Sequence, residues 1–169
     1  MGAAHPQDLH TPAVGSSARR LRSAGFTLPE LMITVAIVSI LAALAGPSFS
    51  SLIASQRTRA ASTDLYLALA KARSEAIKRN TNVTLSPKED DWARGWEIRN
   101  PSDASSFLEN HNALSGMTIT GPDSVVYQST GRIRGNTRPE FDFSVSDTSA
   151  AACVTVDLSG LPVQKSSSC

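Results

Sequence analysis

The apolar residues change their pattern three times along the chain. From Leu31 to Gln56 no side chain carries a charge, and a helix over this run is long enough for the ~30 Å hydrocarbon core of a bilayer, which predicts a membrane-spanning segment. From Ser48 to Arg79 glycine and proline are absent, and Leu52, Ile53, Ala60, Ala61, Leu65, Ala68, Leu69, Ala72 and Ala76 recur at three- and four-residue spacing. That spacing predicts an amphipathic helix with a small apolar face suited to pack on a sheet. Pro47 separates the two halves and removes one backbone hydrogen bond, so a kink or local melting is expected there. Asn80 suits the C-terminus of the helix.

Beyond Asn80 the period shortens to two. Asn82–Leu85, Met117–Ile119, Val125–Tyr127, Glu140–Val145 and Val154–Leu158 read as strands, whereas the polar run Pro101–Gly116 reads as a surface loop or an edge excursion. Strands without intervening helices predict an antiparallel sheet against one long N-terminal helix, an α+β fold. The expected organisation is a leader over residues 1–25, a transmembrane half-helix over 26–47, an amphipathic half over 48–80 and a β domain over 81–169.

Charge divides along the same boundaries. The leader carries Arg19, Arg20 and Arg22 against Asp8, residues 57–79 carry six basic against two acidic side chains, and residues 80–169 carry seven basic against eleven acidic. The β domain is therefore acidic, and a general nucleic-acid surface is not implied. The basic leader, with no matching basic cluster for 34 residues after Arg22, favours a cytoplasmic N-terminus and an exported domain. The basic flank of the amphipathic helix (Arg57, Arg59, Lys71, Lys78, Arg79) reads as a phospholipid or DNA surface, or as a solvated helix flank near the membrane.

Glu30 is the one charge inside the apolar region, where a carboxylate costs roughly 2.5–3.5 kcal/mol on translocon insertion scales. It needs a partner. A cut between Gly25 and Phe26 would create an α-amine four residues earlier, able to neutralise the carboxylate on the same or a neighbouring subunit. The rival reading is an ordinary secretory signal cut after Ala45, or twin-arginine export through Arg19-Arg20, yielding a soluble secreted domain; it leaves Gly25-Phe26 and Glu30 without a role.

Gly25, Phe26, Thr27, Leu28 and Glu30, behind a basic leader and ahead of Pro47, resemble the class III signal of type IV prepilins and type II secretion pseudopilins. The resemblance implies cleavage after Gly25 by a prepilin peptidase, methylation of Phe26, and pairing of Glu30 with a neighbour's N-terminus during assembly. Pro29 departs from the family's usual aliphatic residue but is tolerated in a first helical turn. The stretch Ala70–Asn80, the strand Asn82–Leu85 and the pair Trp92 and Trp96 resemble the FimT/GspH branch, which holds minor pilins and the pseudopilin GspH. Core packing is the expected role of both tryptophans.

Cys153 and Cys169 are the two cysteines. In an exported domain they are expected as a disulfide pinning the C-terminal tail; free thiols or a bridge between subunits are the alternatives. Nothing in the sequence assembles an enzyme: His5, His10 and His111 stand apart, serines lack an activating base, and no metal-ligand or cofactor spacing occurs. Glu89-Asp90-Asp91 lacks the alternating donors of a calcium loop and reads as a solvated turn.

Gly131-Arg132-Ile133-Arg134-Gly135-Asn136-Thr137-Arg138 is the sharpest local feature. Arg132, Arg134 and Arg138 between glycines suit a phosphate clamp, and some FimT proteins bind DNA during natural transformation through a Gly-Arg-x-Arg motif like residues 131–134, which would make double-stranded DNA a partner. In those proteins the motif follows the last strand, where this chain reads Ser159–Gln164, so a structural hairpin with solvated arginines is the competing reading. The sequence as a whole is read as a non-enzymatic minor pilin or pseudopilin. It would span the bacterial inner membrane once with its domain in the periplasm, and assemble with other pilins through the N-terminal helix.

Overall fold

The computed structural model describes residues 26–169, without the side chains of residues 44–48. The leader readings, Gly25 included, lie outside the described residues. Contacts divide the chain into two units, Met1–Ile40 and Leu41–Cys169.

One helix, α1, runs over Leu28–Arg79. Its backbone is helical through Pro47, so the melting expected there does not occur. The helix ends as Asn80 predicts. Asn80 adopts φ 51°, its N–H donates to Ile77 O at 3.2 Å, and Thr81 N–H donates to Ala76 O at 3.2 Å. This pair of bonds is a Schellman cap, which satisfies two of the last carbonyls.

Within the second unit α1 buries Ala54, Thr58, Ala61, Ser62, Leu65, Ala68, Leu69, Ala72 and Ala76, a stripe at three- and four-residue steps. Alanines let the sheets approach closely, and the two buried hydroxyls donate within the helix, Thr58 to Ala54 O and Ser62 to Arg59 O, each at 2.9 Å. The sequence reading requires correction at three positions: Leu52, Ile53 and Ala60 are exposed. They lie on the side of the helix opposite Thr58, which faces the sheets.

The β domain holds two four-stranded antiparallel sheets rather than one, ordered β3-β2-β1-β5 and β4-β6-β7-β8. The strands are β1 Val83–Lys88, β2 Asp91–Asn100, β3 Asp103–Asn110, β4 Thr118–Thr120, β5 Val125–Tyr127, β6 Glu140–Ser144, β7 Ala151–Val156 and β8 Pro162–Lys165. Both sheets and α1 share one core, in which Trp96, Tyr127, Phe141 and Phe143 are the largest fully buried side chains. The expected core role of the tryptophans holds. Trp92 meets Phe141 edge to face at 4.8 Å, and Trp96 stacks on the His111 ring at 4.0 Å.

Two strands were not legible as such. β3 occupies the run expected to be a surface loop or an edge excursion; it is an edge strand in which Leu108 alone packs on the core, and register shifts on either side of Arg99 break the alternation. Its outward Phe107 is covered by the Arg99 guanidinium at 5.5 Å. β8 begins with Pro162, which an edge strand accepts. Glu89 and Asp90 form the β1–β2 turn with φ 51° and 59°, the geometry of a type I′ hairpin, as the solvated-turn reading expects.

Candidate functional site

The N-terminal unit presents Phe26, Thr27 and Glu30 at the start of α1. Thr27 caps the helix: its carbonyl accepts from Leu31 N–H at 3.1 Å, and its N–H points at Glu30 Oε2 at 3.5 Å. That is one half of a capping box, at the long limit of a hydrogen bond. The carboxylate makes no ion pair among the described residues, and it stands on a helix that is otherwise apolar all round. Leu31, Met32, Ile33, Val35, Ile37, Val38 and Ile40 are all exposed. Even the polar residues turn inward, Thr34 to Leu31 O and Ser39 to Val35 O, each at 2.8 Å. An all-round apolar surface with its hydroxyls satisfied suits burial in lipid or among other helices. Among the described residues no helix is long and apolar enough to cross a membrane; the expected span continues through residues 44–46, whose side chains are not described.

The arginine segment is built as a hairpin. Gly131 N–H donates to Gln128 O, Gln128 N–H to Arg132 O and Arg134 N–H to Val126 O, each at 2.8 Å, and Ile133 bridges Tyr127. Ile133 is buried, so Arg132 and Arg134, one residue to either side, both face solvent. Arg134 and Arg138 line one cleft of about 490 Å³ together with Ser124, Asn136, Thr137 and Glu140; Arg132 is not part of its wall. None of the three guanidinium groups has an ion pair among the described residues.

The turn carrying this hairpin is fixed from three sides by residues that the sequence did not single out. Arg73 Nε donates to Gly131 O at 3.1 Å. Gly131, at φ 78°, leaves no room for a Cβ, which would lie 2.7 Å from Ile77 Cδ1, and a Cβ on Gly160 would come within 2.0 Å of Gly131 O. The Gly160 turn is held by Asp157, whose carboxylate accepts from Ser159 Oγ at 2.6 Å and Leu161 N–H at 2.9 Å. These bonds hold the Asp157 carboxyl below the usual carboxylate range, the Ser159 hydroxyl contributing most. The signal was local: an aspartate two and three residues before Ser159-Gly160 is an Asx-turn pattern. Tyr127 lies beneath, fully buried with no partner for its hydroxyl among the described residues; burial pushes its phenol well above the ordinary range.

Cys153 and Cys169 form a disulfide, with Cα atoms 5.0 Å apart. Cys169 N–H also donates to Asp142 Oδ1 at 2.9 Å, so the tail is tied to β6 as well as to β7. Among the described residues no group of His, Cys, Asp and Glu could hold a metal ion.

Known proteins place this architecture. Residues 61–160 match the Type II transport protein GspH family and residues 20–46 match the prokaryotic N-terminal methylation motif. The type IV minor pilin FimU of Pseudomonas aeruginosa is similar in structure, with a TM-score of 0.55, 18% identity, and coverage of 63% of this chain and 91% of that one; a second crystal form gives a TM-score of 0.57 at 17% identity, covering 65% and 89%. The minor pseudopilin EpsH from the Type 2 Secretion System of Vibrio cholerae matches with a TM-score of 0.52 at 12% identity, over 65% of this chain and 97% of that one. No curated protein matches the sequence. With more than half of its length matched to that family, and with the α+β fold of these minor pilins and pseudopilin, the chain belongs to the GspH family.

Proposed function

We propose that the chain is a structural subunit, not an enzyme, which is anchored in the bacterial inner membrane and polymerises with other pilins into a type IV pilus or a type II secretion pseudopilus, at its initiating end or tip. The observation that carries this reading is the surface of α1 around Glu30: a carboxylate without an ion pair among the described residues, on a helix whose apolar side chains are exposed all round. In this reading a prepilin peptidase cuts between Gly25 and Phe26, Phe26 is methylated, and its α-amine on a neighbouring subunit neutralises Glu30. The domain then sits in the periplasm. Glu30→Ala tests the pairing: the β domain should fold unchanged and its disulfide form, while cross-linking to neighbouring pilins is lost. Retained cross-linking would refute it.

A second reading adds double-stranded DNA as a ligand of Arg132, Arg134 and Arg138. Two observations favour it. Arg134 and Arg138 share one cleft without an ion pair among the described residues, and the Ser159–Gln164 segment, where DNA-binding relatives are expected to carry their motif, begins at a turn packed directly on Gly131. A motif displaced in sequence thus opens beside the same place in space.

A further inference from the structure

The membrane-proximal turns of α1 carry a second basic feature, separate from the arginine hairpin. Phe49, Leu52 and Ile53 are 66%, 55% and 42% exposed, although large apolar side chains grouped on one face ordinarily mark an interaction surface. At 100° per residue Phe49, Ile53, Gln56 and Ala60 fall along the outer side of the helix, with Arg57 on one flank and Arg59 on the other. The opposite side, with Ala54, Thr58 and Ala61, is buried against the domain. Both arginines are exposed, and neither guanidinium has an ion pair or hydrogen bond among the described residues; the acid nearest in sequence, Asp64, is engaged with His111 Nε2 at 3.4 Å. The arginines also stand where the charge-free run ends. No charged side chain lies between Glu30 and Arg57, so Arg57 and Arg59 are the first basic groups that follow the apolar run.

We propose that Arg57 and Arg59 clamp the phosphates of anionic phospholipid headgroups on the outer leaflet, with Leu52 and Ile53 dipping into the boundary below them, so that headgroup charge sets the depth of the subunit before it is polymerised. This placement rests on the membrane-anchored reading above. Charge complementarity selects the occupant. Unpaired guanidinium groups flanking an apolar strip match a surface of phosphates over hydrocarbon, and a wholly apolar partner would leave both charges uncompensated.

The test uses the full chain reconstituted in phosphatidylcholine vesicles containing phosphatidylglycerol, with trace spin-labelled phosphatidylglycerol or spin-labelled phosphatidylcholine. The motionally restricted fraction of each label gives their relative association with the protein. The wild type should prefer phosphatidylglycerol about fivefold more strongly, for each arginine engaged, than R57Q/R59Q does, and the excess should shrink with added salt. The leader arginines are the same in both chains, so the difference belongs to the pair, and R57K/R59K should retain most of it. Equal preference in wild type and R57Q/R59Q overturns the proposal. So does a double variant that loses cross-linking to a neighbouring subunit while keeping its lipid preference, because the face would then belong to another pilin. Absence of any restricted lipid, for either label, would refute membrane insertion itself and so separates failure of the anchor from failure of the headgroup clamp.

Discussion

Replacing Gly160 with alanine tests how the arginine hairpin is held. Two costs are separable. The first is conformational, since Gly160 has φ 87°, and a left-handed backbone at a non-glycine residue costs about 1–2 kcal/mol. The second is steric, since the new Cβ would lie 2.0 Å from Gly131 O and 3.1 Å from Gly131 C. Those are backbone atoms, so no rotamer change relieves the overlap and the two turns must part. Parting them strains the bond from Arg73 Nε to Gly131 O, now 3.1 Å, and a hydrogen bond with a charged partner is worth about 1.5–3 kcal/mol. Gly116→Ala is the control, because Gly116 shares a positive φ, 71°, and an added methyl there would meet nothing within 4 Å. Denaturant unfolding of the full chain in detergent, followed by fluorescence of the buried Trp92 and Trp96, should show G160A destabilised by about 3–4 kcal/mol and G116A by about 1 kcal/mol. Equal losses in the two variants would refute the idea that packing against Gly131 requires glycine at position 160.

Three further outcomes follow from the same geometry. Removing the Cys153–Cys169 bridge, which closes a separation of 16 residues, should cost about 3 kcal/mol by the chain-entropy estimate, and non-reducing mass analysis of wild type should find the two cysteines linked within one chain. Asp157 has a folded-state pKa below its unfolded value, so its contribution to stability is present above the unfolded pKa and is lost as the pH falls through the folded one. Stability curves of D157N should accordingly be flatter than wild type on the acid limb and lie below it at neutral pH. If the hairpin binds duplex DNA, R132A/R134A should weaken binding alike for all sequences and reduce the slope of log affinity against log salt by about 0.9 for each phosphate no longer neutralised; binding indifferent to that change leaves residues 131–138 as a structural turn.

The helix and its cap were legible because their signals are local and repetitive: a glycine-free run with three- and four-residue spacing, then Asn80 in the left-handed conformation it tolerates. The strands with strict alternation, Glu140–Ser144 above all, were legible for the same reason. What escaped was set by position in the sheets. β3 carries no readable alternation because an edge strand with shifted register has little core to face, and β8 is too short and too exposed to differ from a loop. One sheet was expected where two exist, since pairing order depends on contacts far apart in sequence. The arginines themselves were visible. Their support by Arg73, Ile77, Asp157 and Gly160 was not, because two segments distant in sequence, α1 and the turn at 157–160, converge on Gly131.

The fate of the N-terminus in the cell separates an anchored subunit from a secreted domain. Mass analysis of the N-terminal peptide, on the full-length gene product recovered from its native membrane, tests this most directly. The predicted result is a chain beginning at Phe26 with one added methyl group on its α-amine, retained in the membrane fraction. A chain beginning at Gly46, released into the soluble fraction, would contradict the anchored subunit and restore the secreted domain in its place.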